Sequence, residues 1–314
     1  MQKRILANDG IEADGKSALE AAGFTVETTK VEQADLAQAL KEYEILIVRS
    51  ATKVRKELID ACPHLKIIAR GGVGMDNIDV DYARGKGIQV INTPNASSRA
   101  VAELALAHMF SLSRLLHQSN SQMREETADF NALKKKYSAG TQLLGKTLGI
   151  IGFGRIGQEL AKMAIGIGMK VVAADPMISK ATLKFNINEN ELAIDLNTTS
   201  MEDLLAVSDY ISLHVPSGQK PILGAEEMGK MKKGACIINT ARGGTVDEAA
   251  LIDALKSGQL GGAGVDAFIN EPTPSKEILS NLKISLSPHI GGSTAEAQLA
   301  IGLELAEKIT AAYN

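Results

Sequence analysis

The sequence predicts an α/β protein with two doubly wound domains, each built around a mostly parallel sheet. Two series of short apolar runs alternate with longer amphipathic stretches, one series in each half of the 314-residue chain. Such alternation is typical of βαβ units. The glycine-rich turn "GFGRIG" begins at Gly152, where the second series starts, and the chain is long enough for two domains. The first half is therefore expected to form a separate domain.

Strands and helices alternate along the first half. The expected strands are "KRILAN", "FTVETT", "EILIVRS", "LKIIARGG" and "GIQVINTP". The expected helices are "GKSALEAAG", which stops at Gly23, "QADLAQALKEY" and "RKELIDACP". A long helix then follows in "SSRAVAELALAHMFSLSRLL", with Ser97 or Ser98 as its cap and Glu103 in its early turns.

The second half repeats this pattern after a polar segment. Its expected strands lie in "GKTLGIIGFG", "MKVVAADP", "SDYISLHVP", "GACIINTA", "GAGVDAF" and "LKISLSPHIGG". The last predicted element is a helix, "STAEAQLAIGLELAEKITAAYN".

Composition and charge exclude several classes of function. The net charge is −3, so no general basic field would attract nucleic acid or an anionic membrane. Cys62 and Cys236 have no metal-ligand spacing, and we expect two buried free thiols and no metal site. No apolar run approaches the ~18 residues of a membrane span, and none resembles a signal peptide. The expected location is the cytoplasm.

The glycine turn predicts a dinucleotide site. Gly152, Gly154 and Gly157 lie between an apolar strand and an amphipathic helix, where they permit a tight turn, a close approach to pyrophosphate and close helix packing. Asp175 follows 23 positions after Gly152, at the end of the next strand, where an acidic residue bonds ribose hydroxyls and repels the extra phosphate of NADP. NAD is therefore the expected cofactor, unless Asp175 only begins a turn with Pro176.

Three polar residues near predicted strand ends are candidates for catalysis. His289 follows the final apolar strand, and an imidazole is suited to proton transfer. Arg242 ends another strand, and Glu271 would orient the imidazole if the two side chains were paired. The alternatives are a surface arginine and a solvated glutamate. His214 suits either cofactor contact or a structural role. His64 is expected on a surface loop, and His108 and His117 on the long helix.

Ordered motifs along almost the whole chain resemble a known family. These are "GRIG" with Asp175, "HVP", "NTARGGTVDEAAL", "GAGVDAFINEP" and "SPHIGGSTAEAQ". Together they are similar to the D-isomer-specific 2-hydroxyacid dehydrogenases, and "VRSATKV" and "GGVGMDNID" resemble the phosphoglycerate dehydrogenase branch. The resemblance implies a flavodoxin-like substrate domain, 1–94 and 288–314, and an inserted Rossmann NAD-binding domain, 95–287, whose long helix serves dimerisation. A homodimer is thus expected.

The resemblance also implies roles for individual residues. Arg242 would hold the substrate carboxylate and polarise the reacting oxygen, His289 would exchange the hydroxyl proton, and Glu271 would orient His289. The residues implied in cofactor binding are Val73, Gly152, Gly154, Arg155, Ile156, Gly157, Asp175, His214, Val215, Pro216, Thr240, Asp266, Gly291 and Gly292. Among them, Asp266 would bond the nicotinamide carboxamide. The residues implied in substrate binding are Arg49, Ser50, Arg70, Val73, Gly74, Arg242 and His289.

Two arginines bear on the choice of substrate. Arg49 and Arg70 each end a strand of the first domain, and two guanidinium groups match a phosphate. Together with the resemblance to the phosphoglycerate dehydrogenase branch, they imply NAD-dependent oxidation of D-3-phosphoglycerate, the entry to serine synthesis. The alternatives are a glyoxylate or hydroxypyruvate reductase, if both arginines are solvated, and a nucleotide-sensing corepressor or scaffold, because fold alone does not imply catalysis.

Three further segments carry open expectations. A chain that ends at Asn314 leaves no room for the regulatory ACT domain of longer phosphoglycerate dehydrogenases, so feedback through such a domain is not expected. Met177–Thr199 departs from the family pattern and is expected to be an enlarged surface connection without an assigned role. Lys134–Lys136 are typical of a solvated surface, and the family resemblance implies as an alternative that they approach a neighbouring subunit's active site.

Overall fold

The computed structural model describes residues 3–313, and the chain divides into two compact units. The first unit contains the chain up to Ser98 and again from Gly292 onward, and the second unit is Arg99–Gly291. Each joint lies four residues beyond the predicted domain boundary. The loop that carries His289 is consequently grouped with the second unit.

The first unit begins with five strands and four short helices. The strands are β1 (Lys3–Ala7), β2 (Phe24–Glu27), β3 (Ile45–Val48), β4 (Ile67–Arg70) and β5 (Gln89–Asn92). The helices are α1 (Ala13–Ala21), α2 (Leu36–Ala39), α3 (Lys56–Ala61) and α4 (Val80–Gly85).

The second unit contains eight helices and eight strands among its described residues. The helices are α5 (Ser98–Ser113, which starts at the joint), α6 (Leu116–Gln122), α7 (Phe130–Lys136), α8 (Arg155–Gly166), α9 (Met201–Val207), α10 (Ala225–Lys230), α11 (Glu248–Ser257) and α12 (Lys276–Leu279). The strands are β6 (Thr147–Ile151), β7 (Lys170–Ala174), β8 (Lys180–Ile187), β9 (Asn190–Asn197), β10 (Tyr210–Leu213), β11 (Ala235–Asn239), β12 (Leu260–Val265) and β13 (Ile284–Leu286). The last helix, α13 (Ala295–Tyr313), belongs to the first unit.

The first sheet is fully parallel and has the strand order β2-β1-β3-β4-β5. This is the flavodoxin order 2-1-3-4-5. Alternate residues of each strand enter opposite layers, and all four residues of β3 are buried. Ile45 and Ile47 pack with residues of α13, whereas Leu46 and Val48 pack with α2 and α3. Burial on both faces explains the uninterrupted apolar runs in the sequence.

The second sheet is also parallel and has the order β13-β12-β11-β10-β6-β7. The order in which strands are added reverses between β6 and β10, which creates the switch point where α/β sheets bind ligands. The predicted fold class, two doubly wound parallel sheets with a Rossmann unit inserted into a flavodoxin-like unit, is confirmed. The outer strand that a full Rossmann half would add beside β7 does not join this sheet.

The Met177–Thr199 segment, expected as an enlarged surface connection, contains an antiparallel hairpin. Strands β8 and β9 pair from Lys180↔Asn197 to Ile187↔Asn190, and the Thr198 amide closes the base on the Ser179 carbonyl at 2.9 Å. Leu183 of β8 is 1% exposed within the core that also contains α8 residues. One face of the hairpin is therefore part of the second unit's core.

Three helical predictions differ from the structure. Helix α2 has only four residues and continues as one 3₁₀ turn, because only Leu36 and Leu40 are buried. Helix α4 was not predicted, although a parallel connection between β4 and β5 requires a crossover. The long helix ends at Ser113, since Leu115 adopts φ +51°, so that His117 belongs to α6.

Helix α5 lies directly against β12. A Cβ on Gly264 would fall 2.6 Å from the His108 Cβ, and a Cβ on Gly262 would fall 2.9 Å from Leu112 Cδ2. These glycines are two apart on one strand face, and the helical residues are four apart on one helix face. The glycines of β12 thus allow α5 to pack closely against this strand. No helix within residues 3–313 has the length and apolarity needed to cross a membrane.

Candidate active site

The glycine turn after β6 has the geometry of a phosphate-binding loop. Gly152 adopts φ +90°, and a Cβ there would fall 2.5 Å from the His214 carbonyl oxygen. A Cβ on Gly157 would fall 2.4 Å from the Gly152 carbonyl oxygen, so helix and strand need glycine to approach. A Cβ on Gly154, by contrast, would meet nothing within 4 Å. Gly154 is the N-cap of α8, and this open space at a helix N-terminus suits a pyrophosphate.

Asp175 follows β7 beside this loop. Its Oδ2 accepts a hydrogen bond from the Phe153 amide at 2.7 Å, and its Oδ1 accepts from the amides of Met177 and Ile178 at 2.8 and 3.0 Å. The carboxylate therefore begins a turn, as the alternative interpretation held, and also ties that turn to the glycine loop. Each carboxylate oxygen has capacity for further donors such as ribose hydroxyls, a role that stays a prediction.

Two buried polar atoms at neighbouring strand ends have no hydrogen-bond partner within residues 3–313. They are Nδ1 of His214, after β10, and Oγ1 of Thr240, after β11. The other ring nitrogen of His214 bonds Ser212 Oγ at 2.9 Å, and burial lowers the pKa of His214 to about 3, which leaves the ring neutral. Unpaired buried polar atoms at a switch point suit a polar ligand such as a dinucleotide.

Other predicted cofactor residues occupy the same sheet edge. Arg155 is exposed in the first turn of α8, and Ile156 is half-buried against the core. Val215 is half-buried and Pro216 exposed, directly after His214. Their contacts with a cofactor stay predictions.

Arg242 lies in a turn after β11. The buried side chain of Asn239 stabilises this turn by hydrogen bonds to its backbone. Asn239 Nδ2 donates to the Arg242 carbonyl at 3.0 Å, and its Oδ1 accepts from the Ala241 amide at 3.1 Å. The turn also presses on the segment after β12, because a Cβ on Gly243 would fall 1.9 Å from the Phe268 carbonyl oxygen. The backbone that presents Arg242 is thus packed against the backbone that leads to Glu271.

Glu271 and His289 form a direct pair. His289 Nδ1 lies 2.9 and 2.7 Å from the two carboxylate oxygens of Glu271, which makes Nδ1 the donor. Glu271 Oε1 also accepts from the Phe268 amide at 2.9 Å. Arg242, Glu271 and His289 follow β11, β12 and β13, which are neighbours in one parallel sheet, and so they lie along one sheet edge. Phe268 links the Arg242 turn to this pair, because its carbonyl packs against Gly243 and its amide donates to Glu271.

Asp266 is 1% exposed and accepts hydrogen bonds from residues before and after His289 in the loop that carries it. Its Oδ1 accepts from Ser287 Oγ at 2.6 Å and from the Ile290 amide at 2.9 Å, and its Oδ2 accepts from the Gly291 amide at 2.9 Å. His289 itself adopts φ +54°, an uncommon conformation for a residue with a side chain. Asp266 is therefore observed to shape this loop, and its predicted bond to nicotinamide stays a prediction.

In the first unit, Arg49 is held through its backbone and its side chain. Its amide donates to Asp9 Oδ2 at 2.7 Å, and its carbonyl accepts from Asn77 Nδ2 at 2.8 Å. Its guanidinium donates to Gln298 Oε1 of α13, and Gln298 Nε2 donates to the Gly292 carbonyl at 2.7 Å. Ser50, next in the chain, is exposed.

Arg70 ends β4, the neighbour of β3 in the sheet, and pairs in register with Val48, the residue before Arg49. Its guanidinium occupies the space beside Gly72, where a Cβ would fall 1.8 Å from Arg70 Nη1. Gly72 adopts φ +131°, and the half-buried Val73 and Gly74 follow it. Arg49 directly follows β3 and Arg70 ends β4, so both residues lie at the carboxyl edge of the first sheet.

Lys134–Lys136 are exposed in the last turn of α7. Lys136 Nζ donates to Gln122 Oε1 at 3.0 Å. This solvated surface is one of the two predicted interpretations, and contact with a neighbouring subunit stays a prediction.

Several supporting residues were not found from the sequence. They are Asp9, Asn77, Gln298, Asn239 and His108, each polar and each bonded to a segment that carries a predicted site residue or leads to one. Asn239 stands where an apolar strand meets "TARGG", a signal for a turn-holding amide. Gln298 offers a weaker signal, an uncharged polar residue near the start of an apolar helix. Their partners lie far away in sequence, and only the fold brings them together.

The sequence and the fold both match known proteins. Residues 106–291 match the family described as D-isomer specific 2-hydroxyacid dehydrogenase, NAD binding domain. The chain is 44% identical over 313 residues to a hydroxypyruvate reductase from Thermotoga maritima, covering 98% of this chain and 97% of that protein. It is 40% identical over 311 residues to a D-3-phosphoglycerate dehydrogenase from Methanocaldococcus jannaschii, covering 98% of this chain but spanning only 56% of that protein's length.

A solved structure agrees along the full chain. An NADPH-dependent glyoxylate/hydroxypyruvate reductase from Sinorhizobium meliloti, in complex with citrate, superposes with a TM-score of 0.80 at 28% identity, covering 100% of this chain and 95% of that one. The shared fold, the match over most of the second unit and the near-complete alignment to relatives at 40% identity or more agree with one another. The chain therefore belongs to the D-isomer specific 2-hydroxyacid dehydrogenases, and its second unit is their NAD-binding domain.

Proposed function

We propose that this dehydrogenase oxidises D-3-phosphoglycerate to 3-phosphohydroxypyruvate with NAD, the first step of L-serine synthesis. The observation that carries the choice of substrate is the pair of arginines at one edge of the first sheet. Arg49 is held by Asp9, Asn77 and Gln298, and Arg70 emerges from the neighbouring strand. Guanidinium groups are suited to a phosphate dianion, because their planar donors match its oxygens.

The proposed chemistry uses the three residues of the second unit. NAD held at the glycine turn would supply the acceptor for the hydride of the hydroxyl-bearing carbon. His289 keeps its proton on Nδ1, where it donates a hydrogen bond to Glu271, and so the lone pair of Nε2 can take the hydroxyl proton as the carbonyl forms. Arg242 binds the substrate carboxylate and the reacting oxygen, since a guanidinium can donate to both. In the reverse direction His289 returns the proton.

We propose NAD rather than NADP as the physiological cofactor. Asp175 ends β7 beside the glycine loop, and three backbone amides hold its carboxylate in place. A fixed carboxylate at this position accepts ribose hydroxyls and repels a ribose phosphate.

A hydroxypyruvate or glyoxylate reductase is the second candidate. It is favoured by the relative from Thermotoga maritima, which is named a hydroxypyruvate reductase and matches at 44% identity over nearly its whole length. In that case Arg49 and Arg70 would bind no phosphate. The two candidates share the chemistry of the second unit and differ only in the substrate that the first unit accepts.

The test compares initial rates for phosphorylated and unphosphorylated substrates. The purified protein is assayed with D-3-phosphoglycerate and D-glycerate in the oxidative direction, each with NAD and NADP, and with phosphohydroxypyruvate, hydroxypyruvate and glyoxylate in the reductive direction. We expect the phosphorylated pair and NAD to be preferred. Arg49→Ala and Arg70→Ala should each lower kcat/KM for the phosphorylated substrate by roughly 10- to 100-fold, since a charge-assisted hydrogen bond contributes about 1.5–3 kcal/mol.

Arg84→Ala is the matched control, because Arg84 lies in α4 and has no assigned part in the site. It should leave all rates unchanged. Equal or better rates with hydroxypyruvate or glyoxylate, and equal losses for both substrate types in the arginine variants, would reject the phosphorylated substrate in favour of the second candidate.

A further inference from the structure

His108 connects α5 to the loop that carries His289, although nothing in the proposed chemistry uses it. It is 4% exposed and packs on β12 at Gly264, where a Cβ would fall 2.6 Å from the His108 Cβ. Its Nδ1 lies 2.9 Å from Ser285 Oγ of β13, and its Nε2 lies 2.9 Å from Ser287 Oγ. The two serines are two positions apart and present their hydroxyls to the same ring.

The hydrogen bonds beyond Ser287 determine which way the protons point. Ser287 Oγ lies 2.6 Å from the Asp266 carboxylate, which has only acceptors, so the serine donates its single proton there. Ser287 must therefore accept from His108, and Nε2 of His108 carries the proton. Nδ1 is then the acceptor for Ser285. Burial lowers the pKa of His108, against the opposing effect of the Asp266 charge, and so favours this neutral form.

The same carboxylate holds both ends of the His289 loop. Asp266 accepts from Ser287 before His289 and from the amides of Ile290 and Gly291 after it. Between these anchors His289 adopts φ +54°, a backbone conformation that persists only where its surroundings enforce it. The Ser287 hydroxyl donates to Asp266 and accepts from His108, so His108 supports one of the contacts that enforce this conformation.

We propose that His108 is a positioning residue for His289, acting through Ser287 and Asp266 to hold the His289 loop in its reactive conformation. The inference rests on the proposed role of His289 as the group that exchanges the hydroxyl proton. The inference gives a role to α5, none of whose residues takes a direct part in the proposed chemistry. The close contact between α5 and β12 would keep His108 in position to bond Ser287.

Two substitutions of His108 test the proposal. His108→Leu fills the site without a donor, and His108→Gln retains a donor at the position of Nε2. For each variant we would measure kcat and KM, the dissociation constant of NADH by its fluorescence, and the primary isotope effect with substrate deuterated at the reacting carbon. His108→Leu should lower kcat about 10- to 100-fold, since small misplacements of a reacting group have effects of this size. The NADH dissociation constant should change by less than about twofold, because no cofactor residue is altered.

The isotope effect should rise in His108→Leu, because a misplaced His289 slows the chemical step relative to product release. His108→Gln should recover most of kcat. Ser287→Ala removes the hydrogen bond between His108 and Ser287 from the serine side, and its kcat and isotope effect should match those of His108→Leu. It therefore provides the test if His108→Leu does not fold. Ser111→Ala is the matched control, since its hydroxyl lies 3.2 Å from Ser285 Oγ but does not bond His108. Its kinetics should equal those of the wild type.

Wild-type kcat and an unchanged isotope effect in both His108→Leu and Ser287→Ala would overturn the proposal. So would a parallel loss of kcat and NADH affinity in which His108→Gln fares no better than Leu, because that pattern belongs to a structural defect. His289→Asn separates the two levels of inference. If it abolishes activity while the His108 variants do not, only the positioning role fails, and if it leaves activity intact, the proposed chemistry itself fails.

Discussion

At the scale of single residues, the side-chain amide of Gln298 makes two hydrogen bonds, one to Arg49 and one to Gly292. Its oxygen accepts from the Arg49 guanidinium, and its nitrogen donates to the Gly292 carbonyl. An uncharged acceptor leaves the positive charge of Arg49 available, whereas a carboxylate in the same place would neutralise it and repel a phosphate. If Arg49 binds the phosphate as proposed, Gln298 is expected to influence the choice between the two candidate substrates.

Gln298→Glu is expected to shift preference away from the phosphorylated substrate. The value of kcat/KM for D-3-phosphoglycerate should fall by about 10-fold or more, the equivalent of roughly 1.4 kcal/mol, while that for D-glycerate should change little. Steady-state kinetics with both substrates measure the ratio. Gln298→Met, which has similar volume and no charge, should lower the ratio less. A ratio that stays constant across both variants would separate Gln298 from substrate choice.

Residue-level prediction succeeds where a local pattern carries the information. The sequence suggested that Glu271 could pair with His289, and the structure contains this contact at 2.7 Å. It also suggested two roles for Asp175, of which the turn is observed and the ribose contact stays a prediction. The triple hydrogen bonding of Asp266 could not be predicted, because it depends on the conformation of a loop more than twenty residues away.

At the scale of elements, the β8–β9 hairpin depends on one buried side chain. Leu183 is 1% exposed, whereas Leu192 of the partner strand is 50% exposed. Leu183→Ala should lower the free energy of unfolding by about 2–5 kcal/mol, since it leaves a cavity between the hairpin and the core. Leu192→Ala should change it by less than about 0.5 kcal/mol. Urea denaturation followed by circular dichroism measures both, and equal effects would mean that the hairpin does not contribute to the core.

Strands that are well buried were predicted correctly, whereas the mostly exposed strands β8 and β9 were missed. Strands such as β3 are buried on both faces, and their unbroken apolar runs identify them. The hairpin escaped prediction because its strands are mostly exposed, with polar residues and the ion pair Lys180–Asp195 on the outside. Helix α4 escaped because six residues with one buried alanine give no periodic signal. The end of α5 depends on the left-handed Leu115, for which the sequence contains no glycine or proline as a marker.

At the scale of the whole molecule, the first unit is closed by residues from opposite ends of the chain. Helix α1 meets α13 at Gly15 and Gly302, where a Cβ on Gly15 would fall 2.6 Å from three backbone atoms of Gly302. A Cβ on Gly302 would be less crowded, 3.3 Å from the Glu12 Cβ and 3.4 Å from the Gly15 Cα. The two glycines therefore form a matched pair for measuring how tightly this closure is packed.

Gly15→Ala should destabilise the protein, although alanine is the better helix former. Forcing the helices apart costs about 1–3 kcal/mol, which exceeds the roughly 1 kcal/mol gained in helix propensity. Gly302→Ala gains the same propensity against a milder contact, and its free energy of unfolding should stay within about 0.5 kcal/mol of the wild type. Urea denaturation compares the two variants. A stabilised Gly15→Ala protein would show that α1 and α13 can separate without loss.

The hairpin of the second unit has a consequence for how such proteins diverge. The chain enters and leaves it through one hydrogen-bonded pair, Ser179 and Thr198, before α9 begins at Met201. Lengthening a loop whose ends are already fixed costs little, because closure entropy grows only with the logarithm of loop length. Insertions and deletions at the hairpin tip therefore leave the register of β7 and the start of α9 unchanged. Length at this tip is therefore free to vary among related proteins without rearrangement of the surrounding sheet.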